Sequence, residues 1–197
     1  MRVEIRASEQ EPLRVCFTGP MFSGKSTQLQ EIGRKYRIAK YTVLCFHPVV
    51  HQRDKPGVVS THMGLDFDSK PLENLDALKS AGYQLTERTV VLLEEAQFFT
   101  DLRQLLDYFG QQDVDVYFAA LNMKYTGEPW EAVRDVLHTC THLELLYAVC
   151  TRCGSTRARY SHRLIEQIGD VVIGAEDKYE PLCQPCFSKC YNGASEQ

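Results

Sequence analysis

The chain has 197 residues, of which 44% are hydrophobic and 24% are charged, which predicts one medium-sized domain with at most a small addition. Its net charge of −4 is unfavourable for a nucleic-acid surface, and no apolar run reaches the length of a membrane span. The polar N-terminus lacks the apolar core of a secretory signal, so we expect a cytoplasmic protein whose eight cysteines are thiols or metal ligands.

Short apolar segments predict the strands of a sheet. After a leader at 1–13, which we expect to be flexible, residues 14–18 form the first predicted strand. The others are residues 42–46, 89–93 and 114–121, with a fifth candidate at 143–149. Weaker strand patterns lie at residues 2–6 and at 58–59, the latter inside a polar loop at 47–64.

Helical periods lie between these strands. The first predicted helix has an apolar face of Leu29, Ile32, Tyr36 and Ala39, and the second spans 71–81. The third is capped by Thr100 and has an apolar face of Leu102, Leu105, Leu106 and Phe109. The fourth starts at Pro129 and continues through Val133 and Leu137. Strands that alternate with helices predict an α/β fold over residues 14–148, a parallel sheet flanked by helices. Its ligands are expected at the carboxyl ends of the strands.

The first strand runs into a phosphate-binding motif. Residues 19–27 match the pattern Gly-x-x-x-x-Gly-Lys-[Ser/Thr] and are Gly19, Pro20, Met21, Phe22, Ser23, Gly24, Lys25, Ser26 and Thr27. Lys25 is expected to reach the β- and γ-phosphates of a nucleotide, and the Ser26 hydroxyl to hold Mg²⁺. The alternative is a glycine-rich turn with an incidental lysine. The strand before the motif and the helix after it favour the fold of a P-loop NTPase.

Two CxxC pairs lie near the C-terminus. They are Cys150 with Cys153 and Cys183 with Cys186, separated by 29 residues. Four thiolates in such pairs suit a closed, structural Zn²⁺ site, which predicts a small zinc-binding domain over 149–191 and a disordered tail at 192–197. Unrelated buried or redox cysteines are one alternative. A nucleic-acid-binding zinc knuckle is another, but acidic residues slightly outnumber basic ones between the pairs.

Two acidic residues follow the strand at 89–93. At the carboxyl end of a strand in a P-loop protein, one of Glu94 and Glu95 can orient Mg²⁺ and the other can accept a proton from an attacking hydroxyl. Because neighbouring side chains alternate in direction, they are not expected to share one role. The alternative is a pair of solvated carboxylates that cap the next helix.

Several motifs in one order carry a resemblance to a known family. GPMFSGKST, EEAQFF, ALNMKYTGEPW, IGAEDKYEPLC and the paired CxxC motifs resemble those of the type II (human- and bacterial-type) thymidine kinases, over about residues 14–190. The resemblance implies transfer of the γ-phosphate of ATP to the 5′-hydroxyl of thymidine, with Mg²⁺ and structural Zn²⁺ as cofactors. It also implies a lasso-like loop in the zinc-binding domain and a homotetramer.

The same resemblance implies individual roles. Glu95 corresponds to the catalytic base, and Glu94 to the acid that holds Mg²⁺ together with Ser26. The ATP site then comprises residues 19–27 and also His51, Arg53, Glu94 and Gln97. The thymidine site comprises Met21, Phe98, Leu121, Tyr125, the lasso residues Asp170, Val171, Val172, Ile173 and Gly174, and Tyr179.

The chain departs from the family pattern at several positions. These are His51 and Glu94 where Asp is usual, Asn122 and Lys124 where bacterial members have acids, Tyr125 and Trp130 where Phe is usual, Thr126 in place of Arg, and Ala175 and Glu176 in place of Gly-Ala. Because Lys25, Ser26, Glu95, Arg53 and the four cysteines are retained, we expect an active kinase. The alternatives are a diverged, weakly active or inactive paralogue with a regulatory or assembly role, and a P-loop ATPase whose zinc domain binds nucleic acid.

Overall fold

The computed structural model describes residues 11–49, 69–165 and 178–192. Its strands are β1 (Arg14–Gly19), β2 (Thr42–Pro48), β3 (Ser69–Leu72), β4 (Thr89–Leu93), β5 (Asp115–Leu121), β6 (His142–Leu145), β7 (Tyr160–Arg163) and β8 (Tyr179–Leu182). Its α-helices are α1 (Lys25–Ile38), α2 (Leu75–Ser80), α3 (Leu102–Gln111), α4 (Glu131–Arg134) and α5 (Gln184–Asn192), and short 3₁₀ helices lie at Ala96–Phe98 and Leu137–Thr139.

Six strands form one parallel sheet in the order β3-β2-β4-β5-β1-β6. The central strand β4 is buried along its whole length, which explains its uninterrupted apolar sequence TVVLL. Val91 and Leu93 face the core on the α3 side, whereas Val90 and Leu92 face the core on the α1 side. The predicted parallel sheet flanked by helices is therefore confirmed. None of the helices in the described ranges has the length and apolar character needed to cross a bilayer.

The prediction of a helix over 71–81 is wrong at its start. Residues Ser69–Leu72 form edge strand β3, parallel to β2, and the helix begins only at Leu75. Pro71 is tolerated because an edge strand has one side without ladder hydrogen bonds. Asn74 marks the true helix start, since its side-chain oxygen accepts a hydrogen bond from the Ala77 amide at 2.9 Å.

Replacing Asn74 by Ala is expected to lower the free energy of unfolding by about 1 kcal/mol, because the α2 amide loses its cap. Asn74→Ser keeps a capping oxygen and is the matched control, with a loss of only a few tenths of a kcal/mol expected. Urea unfolding of the three proteins measures the difference. Equal stability of the Ala and Ser variants would contradict the capping role.

Three further boundaries differ from the prediction. Asp101 rather than Thr100 precedes α3, and its carboxylate accepts the Leu75 amide at 2.7 Å instead of capping its own helix. The helix expected from Pro129 is only α4, because the Val136 carbonyl is taken by the hydroxyl and the amide of Thr139. The strand expected at 143–149 is β6, after which Ala148 leaves the sheet to pair with Ala158.

Residues 148–163 and 178–190, here called the cysteine module, build a separate small core. Strands β7 and β8 pair antiparallel, and helix α5, which the sequence did not predict, packs against them. Its buried residues are Ala148, Cys150, Ala158, Tyr160, Leu182, Cys183 and Phe187. Tyr160 and Phe187 stack with ring centroids 4.1 Å apart. The predicted strands at 2–6 and 58–59 lie outside the described residues.

Candidate active site

The phosphate-binding motif lies at the carboxyl end of β1, between that strand and α1. Gly24 occupies the N-cap of α1 with φ of 83°, a left-handed conformation that glycine adopts without strain. Because glycine has no side chain, it cannot cap the first amides of the helix. Those amides, together with the positive end of the helix dipole, suit an anion such as a phosphate.

Gly19 lies where a side chain has no room. A Cβ atom there would be 2.4 Å from the Leu146 carbonyl oxygen and 2.8 Å from Ser23 Oγ. The first glycine of the motif is therefore required by close packing against the chain that follows β6.

Replacing Gly19 by Ala is expected to lower the free energy of unfolding by about 1–3 kcal/mol, because backbone must move to admit the methyl group. The matched control is Gly110→Ala in α3, where the nearest atom is Arg14 Nη2 at 3.4 Å and alanine favours the helix. Thermal unfolding compares the two. Equal melting temperatures would contradict the packing argument.

Lys25 begins α1 with its side chain buried in the loop. Its Nζ donates to the Pro20 carbonyl at 2.6 Å. Burial lowers the pKa of Lys25 to about 8, and the carboxylates of Glu95 and Glu94 act against that shift. A phosphate bound beside this amine would favour its charged form.

Ser26 and Glu94 connect α1 to the end of β4. The Ser26 hydroxyl donates to Glu94 Oε2 at 3.2 Å, and Glu94 is only 1% exposed. Burial raises the pKa of Glu94 to about 7, and the nearby Glu95 carboxylate adds to the rise. Within the described ranges, Glu94 Oε1 is buried without a hydrogen-bond partner. A hydroxyl and a carboxylate with an unused buried oxygen fit Mg²⁺, which prefers oxygen ligands.

Glu95 contacts a different partner. It is half-buried, its backbone is left-handed at φ 48°, and its Oε2 accepts a hydrogen bond from Gln97 Nε2 at 2.6 Å. Gln97 Oε1 in turn accepts the Leu121 amide at 3.0 Å. The two acids thus have separate environments, as expected from their alternation. Glu94 is not the solvated carboxylate of the alternative interpretation, because it is buried.

The residues expected to line the thymidine site that lie in the described ranges are all half-buried. Phe98 meets the Trp130 ring edge-on with centroids 5.3 Å apart. Leu121 ends β5, and Tyr179 begins β8. The guanidinium of Arg163 lies 3.6 Å from the centre of the Tyr125 ring. The remaining predicted residues, His51, Arg53 and the lasso at 170–174, lie outside the described residues.

The structure also brings in a residue that the sequence analysis missed. The Met21 amide of the phosphate loop donates to Ser161 Oγ at 2.9 Å, and Ser161 in β7 is buried. The partners are 140 residues apart and no local motif marks the serine. The contact joins the phosphate loop directly to the cysteine module.

The four predicted zinc ligands converge. The Sγ atoms of Cys150, Cys153, Cys183 and Cys186 all lie within 4.8 Å of one another, and Cys153 Sγ is 3.6 Å from Cys183 Sγ. Tetrahedral Zn–S bonds of about 2.3 Å separate the sulfurs by roughly 3.8 Å, so the cluster has the size of a Zn²⁺ site. Cys190 stays outside it, with its Sγ against the Cys186 carbonyl and Arg152.

Comparison with known proteins identifies the family. The family model described as thymidine kinase matches residues 14–187. The thymidine kinase of Pseudothermotoga lettingae is 30% identical over 177 residues, which cover 87% of this chain and 92% of the relative. The thymidine kinase of Yaba monkey tumor virus is 30% identical, over 88% of this chain and 93% of the relative. That of Rhodothermus sp. is 33% identical, over 86% of this chain and 78% of the relative. The chain belongs to the thymidine kinase family.

Proposed function

We propose that the protein is a thymidine kinase that transfers the γ-phosphate of ATP to the 5′-hydroxyl of thymidine, giving dTMP for DNA precursor synthesis in the cytoplasm. The observation that carries the proposal is the pair of acids after β4. Glu94 faces the phosphate loop through Ser26, whereas Glu95 is held on the Leu121 side through Gln97. One acid therefore serves the donor site and the other the acceptor site.

The donor site is assigned to the phosphate loop. The phosphate loop, residues 19–27, binds the ATP phosphates through those backbone amides that remain free, which excludes Pro20, with no N–H, and Met21, whose amide donates to Ser161. Lys25 counters the phosphate charge, and His51 and Arg53 are assigned to the same site. Mg²⁺, bound by Ser26 and Glu94, would neutralise charge that develops on the phosphates. The orphaned Glu94 oxygen and the depressed pKa of Lys25 support this assignment, because a metal and an anion would satisfy both groups.

The acceptor site is assigned to the half-buried residues beyond β4 and β5. To this site we assign Met21, Phe98, Leu121, Tyr125 and Tyr179, which are all half-buried, and the lasso residues 170–174. The aromatic and apolar side chains among them suit a flat base. Glu95 accepts the proton of the 5′-hydroxyl as that oxygen attacks the γ-phosphorus. Gln97, although first assigned to the ATP site, makes its contacts with Glu95 and Leu121 on the acceptor side.

Zinc is proposed as a structural cofactor held by the four cysteines. Its ligands close the coordination shell, so it would supply folding energy rather than chemistry. The metal would also act indirectly on both substrate sites by stabilising the two strands of the cysteine module. Ser161 in β7 contacts the phosphate loop, and Tyr179 in β8 is assigned to the thymidine site.

A panel of nucleosides with MgATP tests the proposed activity. We expect thymidine to be converted to its 5′-monophosphate faster than cytidine, adenosine or guanosine is converted to its own. Lys25→Ala is the control for nucleotide-dependent turnover. No phosphorylation of any nucleoside would contradict the proposal and favour a paralogue without kinase activity. ATP hydrolysis stimulated by DNA or RNA, with a steep salt dependence, would favour the nucleic-acid-dependent ATPase instead.

We also propose a homotetramer, supported by the exposed apolar row Leu143, Leu145, Tyr147 and Val149 at edge strand β6 and beyond. Leu143 and Leu145 share one face of β6, and Tyr147 and Val149 add exposed apolar surface where the chain leaves the sheet. An apolar face on an edge strand favours association with another chain. Leu145→Glu is expected to reduce the mass measured by sedimentation. The matched control is Ile38→Glu, an exposed apolar residue at the end of α1. An unchanged mass for Leu145→Glu would show that this face is not part of a subunit interface.

A further inference from the structure

Gln97 is a buried amide between two elements of the candidate active site. It lies in the 3₁₀ helix after β4, and only 4% of its surface is exposed. Its two polar atoms have different partners: Nε2 donates to Glu95 Oε2 at 2.6 Å, and Oε1 accepts the Leu121 amide at 3.0 Å. The side chain therefore bridges the end of β4 and the end of β5.

Chemistry allows only one orientation of this amide. The Leu121 amide can only donate, so the oxygen of Gln97 must face it. The NH₂ group must then face Glu95, whose ionised carboxylate can only accept. The hydrogen bonds thus determine which atom of Gln97 faces Glu95.

The contact engages one oxygen of the carboxylate. Oε2 of Glu95 is occupied by Gln97, and the described residues give Oε1 no hydrogen-bond partner. Oε1 is thereby available to accept a proton. Glu95 also has a left-handed backbone at φ 48°, a conformation costly for a residue other than glycine, so its placement depends on surrounding contacts such as this one.

We propose that Gln97 is a positioning residue that orients the general base Glu95 relative to the nucleoside. Leu121, the other partner of Gln97, is a wall of the proposed thymidine site. Through these two hydrogen bonds, Gln97 holds the Glu95 carboxylate in a fixed position relative to the proposed thymidine site. This inference rests on the proposed function. It assigns to Gln97 an effect on the chemical step rather than on substrate binding.

A double-mutant cycle tests the inference, with Gln97→Met introduced into the wild type and into Glu95→Gln. In the wild-type background, kcat is expected to fall about 10- to 100-fold, since small misplacement of a reacting group has effects of this size. KM for thymidine and for ATP should change less than about twofold, because substrate contacts remain. In the Glu95→Gln background, Gln97→Met should cause no further loss, since a residue that acts only through Glu95 has nothing left to orient.

A second variant separates orientation from folding. Gln97→Glu keeps the shape and an oxygen acceptor for the Leu121 amide but, when ionised, cannot donate to Glu95. We expect the same loss of kcat. Circular dichroism at the assay temperature checks that the variant is folded, because two carboxylates in contact repel and lower its melting temperature. Wild-type kcat in Gln97→Glu would overturn the inference. Equal losses from Gln97→Met in both backgrounds would overturn it too, because they would indicate a general structural effect. Absence of thymidine phosphorylation by the wild type would instead refute the proposed function, and this inference with it.

Discussion

Replacing Glu95 by Gln is expected to reduce kcat for thymidine phosphorylation by about 10²- to 10⁴-fold, the usual contribution of a general base. The amide can no longer accept the proton of the attacking hydroxyl. Its carbonyl oxygen can still accept the Gln97 hydrogen bond, so geometry and KM for both substrates should be retained. Initial rates at varied thymidine and ATP concentrations separate the two constants.

Glu87→Gln is the matched control for this experiment. Glu87 is exposed and precedes β4, at the opposite end of the strand from Glu95. The same loss of one negative charge there should leave kcat unchanged. If the Glu95 and Glu87 variants turn over thymidine equally fast, Glu95 is not the base.

Removal of zinc is expected to unfold the cysteine module. The module has a small core, and metal binding contributes about 10–16 kcal/mol in zinc-finger peptides, far more than such a core supplies. Cys183→Ser should therefore lose bound zinc and melt at a lower temperature. It should also lose activity, because Ser161 would no longer hold the Met21 amide and β8 would no longer position Tyr179, which we assign to the proposed thymidine site. Elemental analysis, thermal unfolding and kinase rates measure these effects.

Cys190→Ser provides the comparison, since this thiol neighbours Cys186 but lies outside the four-cysteine cluster. It is expected to retain one zinc per chain and wild-type activity. A zinc content of one per chain in Cys183→Ser, with an unchanged melting temperature, would show that the cluster is not the metal site.

Three ionisable side chains lie close together at the ends of β1 and β4. Lys25 and Glu94 are buried beside the half-buried Glu95, and burial moves the pKa of Lys25 down and that of Glu94 up. Bound phosphates and Mg²⁺ would reverse both shifts, since each supplies the opposite charge.

Local sequence was sufficient wherever one segment carried the whole signal. The uninterrupted apolar run of β4 predicted a central strand, and the helical period from Leu29 to Tyr36 predicted α1. The spacing within Gly19–Ser26 predicted the phosphate loop, and the paired cysteines predicted a cluster that the structure brings together. These patterns are short, and backbone sterics and periodicity determine them without distant partners.

Tertiary structure decided the features that depend on residues far apart in the chain. Residues 69–72 became a strand because β2 was available to pair with them, and the carboxylate of Asp101 was drawn from its own helix to the start of α2. The resemblance implies a place for Gln97 in the ATP site, and the fold shows that its amide lies between Glu95 and Leu121. Local patterns therefore predicted five strands of the sheet, the phosphate loop and the family. Only packing across the chain decided what surrounds each functional group, because a hydrogen bond between distant segments leaves no periodic or local mark on the sequence.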